Sequence, residues 1–220
     1  MKTKALLVAI AALSCLFLVA CAAQKIEVKT TSGFLADYSA LAKGGEDQLG
    51  LVYEQPGLEL SSYKKVMVDH VVLYLNPQSE AQAIQPEQMT KLAEHFHQAL
   101  INSLQKQYQI TDQAGSEVMR IRAAISDVEP GHPVAGTMSS IMPLGIVVSS
   151  ATKATTDSNV GVGRAAMEIE LVDSVTGERL AAAVDRREGG KQVGSGKWED
   201  VEEAFEHWAE KLVSFLKSKS

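Results

Sequence analysis

The hydrophobic pattern switches between two periods along the chain. Residues 64–75 (KKVMVDHVVLYL) form a short β-branched run that predicts a strand, ended by Asn76-Pro77. Residues 86–107 carry Met89, Leu92, Ala93, Phe96, Ala99, Leu100 and Leu104 at spacings of three and four, a single apolar stripe that predicts a helix. Pro86 suits its first turn, where a missing N–H costs nothing. Residues 116–128 return to alternation, with Met119, Ile121, Ala123 and Ile125 set against Arg120, Arg122 and Ser126. Residues 160–172 alternate in the same way, with Met167, Ile169 and Leu171 opposite Glu168 and Glu170.

Asp173-Ser174-Val175-Thr176-Gly177-Glu178 has the composition of a turn, and residues 179–187 then return as the second arm of a hairpin. The stripe Val201, Ala204, Phe205, Trp208, Leu212, Phe215 and Leu216 predicts a closing helix over residues 198–217. Glu199, Asp200, Glu202 and Glu203 suit its positive end, and Lys217 and Lys219 its negative end. Earlier signals are weaker. Phe34, Leu35, Tyr38 and Leu41 share a face if residues 34–41 make one or two helical turns, and residues 49–55 read as a short strand. The expectation is an α+β domain of order β-α-β-β-β-α. It has a mixed or mostly antiparallel sheet of about four or five strands, with two main helices on one face.

Residues 131–157 (GHPVAGTMSSIMPLGIVVSSATKATTD) fit neither period. Pro143 and Gly145 oppose a continuous membrane helix. Two readings stay open: a long crossover whose apolar residues cap the core, or a partner-contact loop using Met138, Ile141, Met142, Leu144 and Ile146.

The amino-terminal end has a different logic. Lys2 and Lys4 precede an uncharged apolar run over residues 5–20, shorter than the about 20 residues of a membrane span. It matches a secretory signal. The run closes on Leu18-Val19-Ala20-Cys21, which resembles the bacterial lipobox. In lipoproteins of that kind the cysteine is acylated and the chain is cut before it. Cys15, inside the apolar run with Ser14 before it, is a poor rival. The expected division is a signal peptide (1–20), a lipidated terminus and tether (21–31), and one folded periplasm-facing domain (32–220). Ala22 after the cysteine resembles the signal for outer-membrane sorting, with the inner membrane the less favoured site. Acyl chains on Cys21 would be the membrane contact, since each buried methylene is worth about 0.8 kcal/mol.

Composition narrows the function. The 220 residues carry 21 Lys+Arg against 27 Asp+Glu, a net charge of −6, with no basic cluster. A nucleic-acid partner is therefore not expected. With 45% hydrophobic residues the chain can bury a core. Its two cysteines lie at Cys15 and Cys21, leaving none in the folded body. His95 and His97 are two apart on a helix and face different ways, and no metal-binding spacing appears among His70, His95, His97, His132 and His207. Gly194-Ser195-Gly196-Lys197 lacks the earlier glycine and the following Ser/Thr of a phosphate loop, and reads as a linker. Gly161-Val162-Gly163 precedes a strand instead of a helix and is no dinucleotide loop. Glu168 and Glu170 read as solvated positions on the polar face of a strand. Arg186-Arg187 reads as a solvated strand end. No cofactor, metal or catalytic set is expected, so the chain is read as a non-enzyme.

Several segments together resemble a family of uncharacterised proteobacterial lipoproteins, the domain of unknown function DUF3313. They are Ser32-Gly33-Phe34-Leu35 with Asp37-Tyr38-Ser39 and Leu41, and Tyr63-Lys64-Lys65-Val66. Further on come Glu168 and Glu170, Asp173-Ser174 with Thr176-Gly177-Glu178, and Ala183 with Asp185-Arg186-Arg187. Lys197-Trp198, Asp200-Val201, Ala204-Phe205 and Trp208-Ala209 complete the set. His70 departs from it where the family pattern has proline after Asp69, and this favours an unbroken strand. The resemblance implies a periplasm-facing lipoprotein of no established activity. The βαβ order also resembles accessory lipoproteins of envelope transport systems. Two functions follow as expectations. One is a non-enzymatic lipid-anchored protein that binds another envelope protein. The other is a small-ligand or lipid-binding module, which requires an apolar cavity between sheet and helices.

Overall fold

The computed structural model describes residues 31–75, 79–131, 163–188 and 197–220. The strands are β1 (Ala42–Lys43), β2 (Leu51–Glu54), β3 (Lys65–Val68), β4 (Val72–Leu73), β5 (Gln109–Ile110), β6 (Val118–Glu129), β7 (Arg164–Asp173) and β8 (Arg179–Glu188). The helices are α1 (Pro86–Leu104) and α2 (Glu199–Ser218), with a 3₁₀ turn at Glu80–Ala83. The fold is α+β, as expected, with one mixed sheet ordered β1-β2-β8-β7-β6-β3-β5 and β4 also beside β6.

The sheet has eight strands, more than the four or five expected. β1 and β5 are two-residue strands that carry no period to read. The run 64–75 is split in two. Val68 lies opposite Ile121 and Val72 opposite Ala124, so residues 69–71 face only Arg122 and Ala123. This one-residue bulge overturns the unbroken strand expected from His70. It turns Asp69 toward Arg120, which donates two hydrogen bonds to it at 2.8 Å each. A bulge is also a place where a strand tolerates proline.

β3, α1 and β6 make a βαβ unit with parallel strands, and β6, β7 and β8 continue as an antiparallel meander. Glu129 pairs with Arg164 across β6 and β7. The intervening segment is therefore an insertion in a hairpin, and the crossover reading of 131–157 is corrected. Its predicted contact residues, Met138, Ile141, Met142, Leu144 and Ile146, lie outside the described residues. The described ends of that insertion are tied to the start of α2. Gly131 N–H donates to the Lys197 carbonyl at 2.9 Å, and Gly163 N–H to Asp200 Oδ2 at 2.9 Å.

Both helices pack on one face of the sheet. Phe96 of α1 stacks on Phe205 of α2 with ring centroids 4.8 Å apart, and Trp208 closes the cluster. All three are buried, and each buried large side chain contributes about 1.5–3 kcal/mol. The turn after β7 forms as predicted. Asp173 Oδ1 accepts from the N–H groups of Val175 and Thr176, and Gly177 takes a φ of +72°. Those amides hold the Asp173 carboxyl below its ordinary value. Tyr63 donates to the other carboxylate oxygen at 2.9 Å, and burial followed by that bond raises its hydroxyl to about 12.

Candidate functional site

The outer face of the sheet, away from the helices, is not solvated as expected. Residues 32–41 lie across it, so Glu168 is 0% exposed and Glu170 4%. The predicted helical turns over 34–41 do not form. Phe34, Leu35, Tyr38 and Leu41 do share one surface, packing on Ala182 and Val184 of β8.

Glu168 sits at the centre of this contact. Its Oε1 accepts from Ser32 N–H at 2.6 Å, and its Oε2 accepts from Leu35 N–H at 3.4 Å and from the Tyr38 hydroxyl. The same hydroxyl accepts from Gly33 N–H at 2.9 Å and Leu35 N–H at 3.1 Å. A buried carboxylate is tolerated only when such donors replace water. Burial first, and then the bond to Glu168, raises the Tyr38 hydroxyl to about 12. Gly33 has a φ of +95°, which lets the chain turn tightly enough to aim successive amides at these oxygens. Glu170 is held by Arg122 and by Arg179, whose guanidinium also donates to the Asp37 carbonyl at 2.7 Å.

The opposite face holds a cavity. A space of about 350 Å³ lies between the sheet and the carboxyl-terminal half of α2. Its walls include Val52, Met167, Ile169 and Leu171 from the strands and Trp208, Leu212 and Phe215 from the helix. The cause is a pair of small residues on β8. Ala181 and Ala183 face the helix and place only a methyl group each where a larger residue would fill the gap. The rim is polar. Lys211 Nζ reaches across it to the Asp47 carbonyl at 2.8 Å, while Gln48, Glu54, Ser214 and Ser218 complete the lining. An apolar interior with a few polar groups at the mouth holds the apolar part of a small molecule and orients its head.

The remaining candidates are dispersed. Cys21 lies outside the described residues, as do His132 and Gly194-Ser195-Gly196. His95 faces Glu202 and His97 faces His70, at a ring-centroid distance of 4.8 Å, so the two point apart as expected. His207 is half-buried on α2, and burial, with Arg187 and Lys211 nearby, lowers it to about 4. Arg186, partly exposed at the end of β8, pairs with Asp127 at 3.2 Å. Among the described residues no three His, Cys, Asp or Glu side chains converge on a metal position, and no helix is long and apolar enough to cross a membrane.

A family model described as a protein of unknown function, DUF3313, matches residues 30–212. The chain belongs to the DUF3313 family. No curated protein sequence matches it. Among solved structures it is similar to a PelC dodecamer from Paraburkholderia phytofirmans. That match has 15% identity and a TM-score of 0.42, covering 74% of this chain and 98% of that one. It is also similar to a homolog of a neuraminyllactose-binding hemagglutinin from Helicobacter pylori. There the identity is 9% and the TM-score 0.35, covering 74% and 85%.

In this DUF3313 chain, eleven of the residues that carried the resemblance fall into three working groups. Ser32, Gly33, Leu35, Tyr38 and Glu168 fasten the amino-terminal segment. Tyr63, Asp173, Thr176 and Gly177 shape the hairpin turn. Asp185 and Trp208 join β8 to α2 at 2.7 Å, beside the cavity. The cavity was missed as a site. Its trace in the sequence is the pair Ala181 and Ala183, small residues on the helix-facing side of β8.

Proposed function

We propose that the chain is a lipid-anchored, non-enzymatic envelope protein that holds one apolar small molecule of lipid class beneath α2. The cavity of about 350 Å³ carries this reading, because it lies within the about 300–1,000 Å³ range of small-molecule sites and its walls are apolar. In this reading residues 1–20 are removed, Cys21 is acylated, residues 21–31 tether the body, and the 32–220 domain faces the periplasm from the outer membrane. No cofactor takes part. The inner membrane is the less favoured location.

Mass spectrometry of solvent extracts from protein purified in its native envelope tests the ligand. A stoichiometric lipid-class molecule is expected, and its loss in Ala183→Leu protein that still folds. Extracts that are identical for the two proteins would overturn the reading.

A second reading assigns Met138, Ile141, Met142, Leu144 and Ile146 to contact with another envelope protein. It is favoured by the ties of Gly131 and Gly163 to the start of α2, which present the insertion from one place. Deleting residues 136–150 is expected to remove a crosslinked partner. Retention of every crosslink would discard this role.

A further inference from the structure

Large exposed apolar side chains are concentrated at one place. Among the described residues they are Val72 (43% exposed), Leu73 (38%), Tyr74 (47%) and, elsewhere, Val175. Val72 and Leu73 form β4, whose pairing is with β6. Val72 lies opposite Ala124, and the Tyr74 ring meets Phe34 edge-on at 5.9 Å. The Arg122 guanidinium stands 5.4 Å from the Phe34 ring centre. Val72, Tyr74 and Phe34 thus make an apolar and aromatic patch on the outer face. The Arg122 side chain, 42% exposed and paired with Glu170, stands beside it.

The patch lies where the chain joins the folded body. Ser32 is fixed to Glu168 on that same face. The eleven Cα steps from Ser32 back to Cys21 can span at most about 40 Å. The lead to Cys21 thus leaves the body from its outer face.

We infer that the patch of Phe34, Val72 and Tyr74 is a membrane-contact surface, seated at the boundary between lipid headgroups and acyl chains. The inference rests on the acylation of Cys21 proposed above. Tyrosine favours that boundary because its ring is apolar and its tip polar. The rival occupant is a second copy pairing along β4. A two-residue edge strand offers too few backbone groups for that.

The test uses the full mature protein in vesicles of phosphatidylethanolamine and phosphatidylglycerol. Acylation of Cys21 leaves no free thiol, so Val72→Cys, Tyr74→Cys and Asn102→Cys each take one spin label. Asn102 is exposed on α1, across the sheet from the patch. Collision with a water-soluble relaxation agent is expected to fall several-fold at 72 and 74 on reconstitution and to stay unchanged at 102. Acylated, vesicle-bound protein whose labels at 72 and 74 remain as water-accessible as that at 102 would overturn the inference and leave the anchor standing. Spin–spin broadening at 74 would replace the membrane with a second copy. An intact mass without acyl chains would remove both the anchor and the inference. If Tyr74→Cys does not fold, Val72→Cys carries the measurement alone.

Discussion

The Trp208 indole N–H donates to Asp185 Oδ2 at 2.7 Å, and Asp185 Oδ1 takes the Gly50 N–H at 2.8 Å. One buried carboxylate thus ties α2, β8 and the entry to β2 together at the edge of the cavity. Trp208→Phe keeps most of the packing and removes a donor to a buried charge. A loss of about 1–3 kcal/mol is expected in urea unfolding. Asp185→Ala strands both donors and is expected to cost at least as much.

Glu168→Gln puts an NH₂ group where an acceptor faced the Tyr38 hydroxyl or the backbone amides. The expected cost is about 1–3 kcal/mol. Its signature is local: amide hydrogen exchange quickens at residues 32–38, while the amides of α1 keep their protection. Equal acceleration in both places would show that Glu168 supports the whole sheet and not this segment.

Tyr38 and Tyr63 both titrate near 12 in the folded chain, against 10.0 for a free tyrosine. Between those values the unfolded chain has lost the two protons and the folded chain retains them. Stability is therefore full below about pH 10 and falls as pH rises toward 12. A Tyr38→Phe/Tyr63→Phe variant is expected to show a shallower decline, measured by chemical unfolding across that window.

His207 works at the other end of the scale. Its folded value of about 4 lies below the ordinary 6.5, so the unfolded chain binds its proton first as pH falls. The stability this neutral imidazole contributes is complete above 6.5 and declines as pH drops toward 4. NMR titration is expected to place the His207 midpoint near 4, and His207→Gln to flatten the stability profile between 6.5 and 4.

The long strands and both helices were legible because each repeats one period over ten or more residues, as Met167, Ile169 and Leu171 do on β7. Period also told correctly that Glu168 and Glu170 lie opposite those residues. It could not tell that the opposite face is covered, since the cover comes from Ser32 to Leu41, far away in sequence. The same limit applies to Asp69. A bulge depends on register against β6, and one strand read alone has no register. The cavity follows from Ala181 and Ala183, small residues whose meaning appears only when α2 is laid over them.

The fastening of Ser32 to Glu168 also has a mechanical consequence. Tension applied to the chain ahead of residue 32 reaches the side chain of Glu168 on β7. That strand is paired along its length with β6 on one side and β8 on the other. The load therefore enters the middle of the sheet and is shared by rows of hydrogen bonds on both flanks. Without that clasp the load would pass along residues 33–41 to the edge strand β1 and peel it one pair at a time. Pulled by its amino terminus, the protein loads this outer-face clasp on β7 before the edge strand that follows it in the chain.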